Sequence, residues 1–190
     1  MTAQSSTAST APATDAAPVE DFSQCHEGIV AQLRALEQLP ALADAAAKAR
    51  RIAHTMLEFY RDVVLVHHAE EEQELFTAVL ASAEHGAEAE RVQAIVSRLT
   101  QDHRHIEHLW REIEPGVRDV AHGRDATLDT HRLTMFVNDY RAHAQYEEEV
   151  FLPLSSAILG RNGNHMAALG IALHARHALP EVLRRFGTYV

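Results

Sequence analysis

Between residues 92 and 120 the chain carries Val92, Val96, Leu99, His103, Ile106, Trp110, Ile113, Val117 and Val120 at alternating steps of four and three. That spacing keeps every one of these residues on a single side of an α-helix, so this stretch has to lie against a core. One position of the stripe is a histidine where all its neighbours are hydrophobic. Three other stretches repeat the pattern. The first reads Phe22, His26, Ile29, Leu33, Leu36. The second reads Ala53, Met56, Tyr60, Val64, His67, Glu71, Leu75, Ala78, and the last Leu133, Phe136, Tyr140, His143, Glu147, Phe151, Leu154. Each stripe places one imidazole in the predicted core, and two of them add a carboxylate one turn later.

These stripes predict four long helices. The first spans about Phe22 to Leu39, with Asp21 or Ser23 as its cap and Pro40 as its stop. The second runs from about Ala41 to Ser82, and the third from Ala87 to Val120 with a candidate kink at Pro115. The fourth runs from about Ala126 to Leu159, and a shorter fifth from Asn164 to Phe186. No segment alternates with period two, so no sheet is expected. Short connections between long helices imply antiparallel neighbours. The expected fold is all-α: an up-down-up-down four-helix bundle over residues 20–160, with an additional C-terminal helix over 161–190 packed on it. Residues 1–18, MTAQSSTASTAPATDAAP, have nothing to bury and no signal-peptide pattern, and are read as a disordered tail.

A buried imidazole is easily satisfied, but a carboxylate taken out of water without a partner costs several kcal/mol. Four histidines and two glutamates on inward stripes therefore call for a counter-charge, and a divalent metal supplies it. In His67-x-x-x-Glu71 and His143-x-x-x-Glu147 a nitrogen and an oxygen donor share one helix face. The positions also recur. His26 to His103 is 77 residues, while His67 to His143 and Glu71 to Glu147 are both 76. HHAEEEQELF at 67–76 corresponds to HAQYEEEVFL at 143–152. The chain reads as two copies of a helical hairpin, whose pairing brings six donors together, enough for two metals bridged by two carboxylates. Donors without thiolate suit iron, manganese or zinc.

Other residues take quieter roles. His68, His105 and His108 fall off the ligand stripe, with His68 placed to support a ligand through its other ring nitrogen. Glu107, at the stripe edge, is a candidate extra ligand. Tyr60 and Tyr140 lie on the stripes as packing groups with a polar tip. His54, His85, His122 and His131 are expected on the surface, and His165, His174 and His177 belong to the fifth helix. The net charge of −10 argues against nucleic acid or an anionic membrane as partner. No apolar run approaches the ~20 residues that span a bilayer. The single cysteine, Cys25, forms no internal disulfide and suits a reducing, cytoplasmic setting.

On His26, His67-x-x-x-Glu71, His103 and His143-x-x-x-Glu147, with the repeated Glu-Glu tails and Pro153, residues 20–158 resemble the hemerythrin-like (HHE cation-binding) domain family. The resemblance implies a four-helix bundle holding a non-haem di-iron centre with an oxo or hydroxo bridge. It implies that His26 and His67 serve one iron, His103 and His143 the other, and that Glu71 and Glu147 bridge them. The oxygen carriers of the family have a fifth histidine one turn beyond the third-helix ligand, where this chain has Glu107. They also have His-x-x-x-x-Asp in the fourth helix, where this chain has His-x-x-x-Glu. Two histidines per metal leave open positions on both, which points away from simple reversible transport. The implied function is binding or sensing of oxygen or nitric oxide, with an electron donor the sequence does not name. The alternatives are a redox enzyme of nitrosative or oxidative stress, acting in iron–sulfur cluster repair or peroxide reduction, and an iron store or plain structural bundle.

Overall fold

The computed structural model describes residues 17–161, and side chains from residue 22 onward. The tail (residues 1–16) and the predicted fifth helix with its three histidines lie outside the described residues. The chain divides into two compact units, Met1–Ala45 and Ala46–Val190. Every described element is helical and no strand occurs among the described residues, as the missing period-two pattern predicts.

Helix α1, Ala17–Phe59, crosses the boundary between the units without a break, and Pro40 lies inside it. This corrects the expected stop. Proline removes one backbone donor and crowds the carbonyl four residues back, at about 3 kcal/mol in a helix interior. Here Leu36 and Pro40 are exposed, so water can serve the freed carbonyl. The following LADAAAKAR is among the strongest helix-forming stretches of the chain. In the first unit Phe22, Ile29, Leu33, Leu36, Leu39 and Leu42 are all exposed.

The second unit is built of three rods. The first continues α1 through a π turn at Tyr60–Val64, α2 at Leu65–Glu70, a second π turn at Glu71–Leu75, and α3 at Phe76–Ser82. The second rod is α4, Ala87–Ala121, which runs unbroken across Pro115. The third is α5 at Thr130–Tyr146, a π turn at Glu147–Phe151, and α6 at Leu152–Leu159. Gly86, at φ +93°, makes the turn into α4, and Gly123, at φ +68°, ends that helix in the left-handed conformation glycine tolerates best. The last rod begins at Thr130, four residues later than expected, because the carboxylate of its N-cap Asp129 accepts the Arg132 backbone N–H at 3.0 Å and so fixes the first turn.

Apolar clusters order the rods. Leu75, Phe76, Val79, Val92, Val96, Leu99, Phe151 and Ile158 form one. Tyr60, Val64, Ile106, Leu109, Trp110, Ile113 and Phe136 form another, with the Tyr60 and Trp110 rings stacked at 4.2 Å. Ala53, Val117 and Ala121 form a third. The chain meets these in the order third, second, first along the first rod and in the reverse order along α4. Along the last rod it passes from the second to the first, so successive rods are antiparallel. Between the first two clusters every rod interposes polar residues: His67, His68 and Glu71, then His103, then His143 and Glu147.

A candidate metal centre

Three rods therefore deliver their donors to one level. Two triads have ligand atoms within 4.8 Å of one another: His68, His103 and His143, and His67, Glu71 and Glu147. Glu71 joins them, its Oε1 3.1 Å from His67 Nε2 and its Oε2 3.3 Å from His103 Nε2. Glu147 Oε2 is 3.7 Å from His143 Nε2. The His68 and His103 rings stack at 4.0 Å, nearly parallel, and His143 meets His103 edge-on at 4.8 Å.

The π turns explain which side chains arrive. A turn closed by an i→i+5 hydrogen bond absorbs one extra residue and shifts the register of everything beyond it. Past Tyr60–Val64 the buried positions step by four, from Tyr60 to Val64 to His68, so His68 is buried and His67 sits at the edge of the site, its side chain 39% exposed. Past Glu71–Leu75 the buried residue is Val79 in place of Ala78, and past Glu147–Phe151 it is Ser155 in place of Leu154. The off-stripe expectation for His68 is thus corrected. An ideal 3.6-residue period has no means of foreseeing the extra residue. His26 lies in the first unit, exposed, its ring against Phe22 at 5.2 Å, and belongs to neither triad. Glu107 also belongs to neither. His105 pairs with Asp139 at 2.9 Å on the surface, and His54, His85, His122 and His131 are exposed as expected.

Six polar atoms of the site make no hydrogen bond. His68 Nε2, His103 Nε2, both ring nitrogens of His143, Glu71 Oε2 and Glu147 Oε1 are buried without a hydrogen bond. An unmet buried polar group ordinarily costs ~1–3 kcal/mol, so six at one level form an arrangement completed by a cation. Burial sets the charge state. It lowers the pKa of His67, takes that of His143 to about 4 and pushes that of His68 to about 2, with neighbouring imidazoles adding to the effect. Neutral imidazole is the form that ligates metal. Burial raises the Glu71 carboxyl to about 7. It raises Glu147 to about 9, helped by the Glu71 charge and a hydrogen bond between the two carboxyls. Without a cation this pair holds on to protons. A dication in the site would displace them.

Fold and site together define an all-α cation-binding protein with a histidine–glutamate centre across its helices. The sequence matches the hemerythrin HHE cation binding domain over residues 17–155, and the chain belongs to that family. No curated protein and no solved structure matches it significantly. Among the described residues, no helix is long and apolar enough to cross a membrane.

Proposed function

We propose that this chain holds two iron ions at the level of the six gathered donors and serves to bind or sense oxygen or nitric oxide. One observation carries the reading: Glu71, a member of one triad, also lies 3.3 Å from His103 of the other, so the donors suit a pair of cations bridged by carboxylate. Glu147, grouped with His67 and Glu71, would be the second carboxylate to hold the pair. Histidine nitrogen and carboxylate oxygen suit iron, with manganese or zinc as the competing occupants. Iron there supplies an open coordination position for a small diatomic ligand and a change of redox state. The chain's own contribution is to hold His67, His68 and His143 neutral, to give up the carboxyl protons of Glu71 and Glu147, and to flank the site with buried Leu99 and Phe76 on one side and Tyr60 and Ile106 on the other.

The proposed ligands are the six gathered donors His67, His68, Glu71, His103, His143 and Glu147. Tyr140, half-buried with its ring 6.0 Å from His143 and its pKa pushed up to about 12 by burial, stays protonated and offers a donor beside the site. The lone Cys25, an exposed thiol, fits the cytoplasm. Iron stoichiometry and optical spectra of wild type and His103→Ala test the proposal. Two irons per chain, lost in the variant, with a spectral change when the ferrous protein meets either gas, are expected. An unchanged metal count in His103→Ala overturns the ligand assignment, and a gas-silent ferrous spectrum overturns the function.

A further inference from the structure

Arg104 is more than half exposed on α4, next to buried His103. Its Nη2 donates to Glu72 Oε2 at 2.5 Å and its Nη1 to Glu107 Oε1 at 3.2 Å. Neither carboxylate stops at the arginine. Glu72 Oε1 lies 2.8 Å from His103 Nδ1, and Glu107 Oε1 makes a looser 3.5 Å contact with His68 Nδ1. One guanidinium on the surface thus reaches, through two carboxylates, the outer nitrogens of the two stacked imidazoles.

A carboxylate offers only acceptors, so the ring nitrogen facing it carries the hydrogen. A neutral imidazole with Nδ1 protonated has a bare Nε2, and in both rings Nε2 is buried without a hydrogen bond, that of His103 lying 3.3 Å from Glu71 Oε2. The planar fork of arginine can hold two carboxylates in fixed relation, which the point charge of lysine cannot. A surface ion pair is worth only ~0–1 kcal/mol in stability, so a role in folding alone would make little use of this arrangement.

We infer that Arg104 is a positioning residue: it clamps Glu72 and Glu107 and so fixes His103 and His68 as Nδ1–H tautomers with both Nε2 lone pairs turned to the cation site. The consequence for metal rests on the proposed centre, whereas the tautomers are a property of the metal-free protein. Oriented partners of this kind typically change metal affinity by 10- to 100-fold.

Long-range proton–nitrogen NMR on metal-free, 15N-histidine-labelled protein reads the tautomers directly, and titration with divalent cobalt reads the affinity. Wild type is expected to show Nδ1–H on both rings. Arg104→Gln is expected to mix the tautomers of both and to weaken cobalt binding about 10- to 100-fold. Glu72→Ala is expected to release His103 alone and Glu107→Ala His68 alone, a division that general loosening of the fold would not produce. Arg104→Lys is expected to restore one ring at most. Retention of both tautomers in Arg104→Gln, or Nε2–H on either ring in wild type, overturns the clamp. Wild type that binds no cobalt while Arg104→Gln still mixes the tautomers refutes the metal centre and leaves the clamp standing.

Discussion

His67 and His68 are adjacent in sequence and end in different surroundings, one at the rim beside Glu71, the other stacked on His103 in the interior. The repeat selects His67, because its counterpart 76 residues on is His143 whereas that of His68 is Ala144. The structure gives both a place. Alanine variants separate them from the first-helix histidine: metal content is expected to fall in His68→Ala and to hold in His26→Ala. The reverse outcome would assign the sixth place to His26. His103, His143, Glu71 and Glu147 were legible because their stripes are continuous and a buried carboxylate demands an explanation. Glu72 and Arg104 were not, since a Glu-Glu-Glu run and a surface arginine read as solvated faces until their partners across the helices are seen. Beside the site, Leu99 is fully buried, and Leu99→Ala is expected to cost ~3–5 kcal/mol in chemical denaturation with its cavity only partly refilled.

At the scale of the element, the π turns Glu71–Leu75 and Glu147–Phe151 stand 76 residues apart, the same offset as the glutamates that open them. Each carries an i→i+5 bond, from Phe76 N–H to the Glu71 carbonyl and from Leu152 N–H to the Glu147 carbonyl. Deleting the exposed Gln73 is expected to close the first of these into a regular α turn. Helical circular dichroism should be kept and metal binding weakened, because Val79 and the residues beyond the turn can no longer pack in their cluster while Glu71 faces the triad. Retained metal would show that the extra residue does not couple the two sides of the turn. Helix ends were mostly readable from the sequence: Ser82 and the His122-Gly123 stop fell where expected. The start of α5 depended on a cap at Asp129 that several nearby residues could have supplied. Asp129→Ala is expected to cost ~1 kcal/mol, seen as a lower denaturation midpoint with unchanged metal content. Pro40 misled because a proline stops a helix only when something else favours stopping, and the alanine-rich sequence beyond it does not.

For the molecule as a whole, the buried groups impose a pH dependence. Glu71 and Glu147 have folded pKa values of about 7 and about 9, above their ordinary 4.5, so the folded state holds protons that the unfolded chain has released. That contribution is present in full below about pH 4.5 and is lost as pH rises through 7 to 9. His143 and His68 are depressed from 6.5 to about 4 and about 2, so their contribution is present above about 6.5 and is lost on acidification. Metal-free protein is therefore expected to melt at progressively lower temperature between pH 6.5 and 9. Metal-loaded protein should not, its carboxylates being already deprotonated. Parallel melting curves across that range in the two states would refute this account. The layered interior has a further consequence. Its two larger apolar clusters are separated by a belt of imidazoles and carboxyls that do not hold together unaided. A cation there acts as a rivet between two halves, each with its own hydrophobic cohesion. Hydrogen exchange should then find a soft waist in the metal-free protein, with amides around His68, His103 and His143 opening well before those around Val79 or Ile113, and a single cooperative body once the rivet is in place.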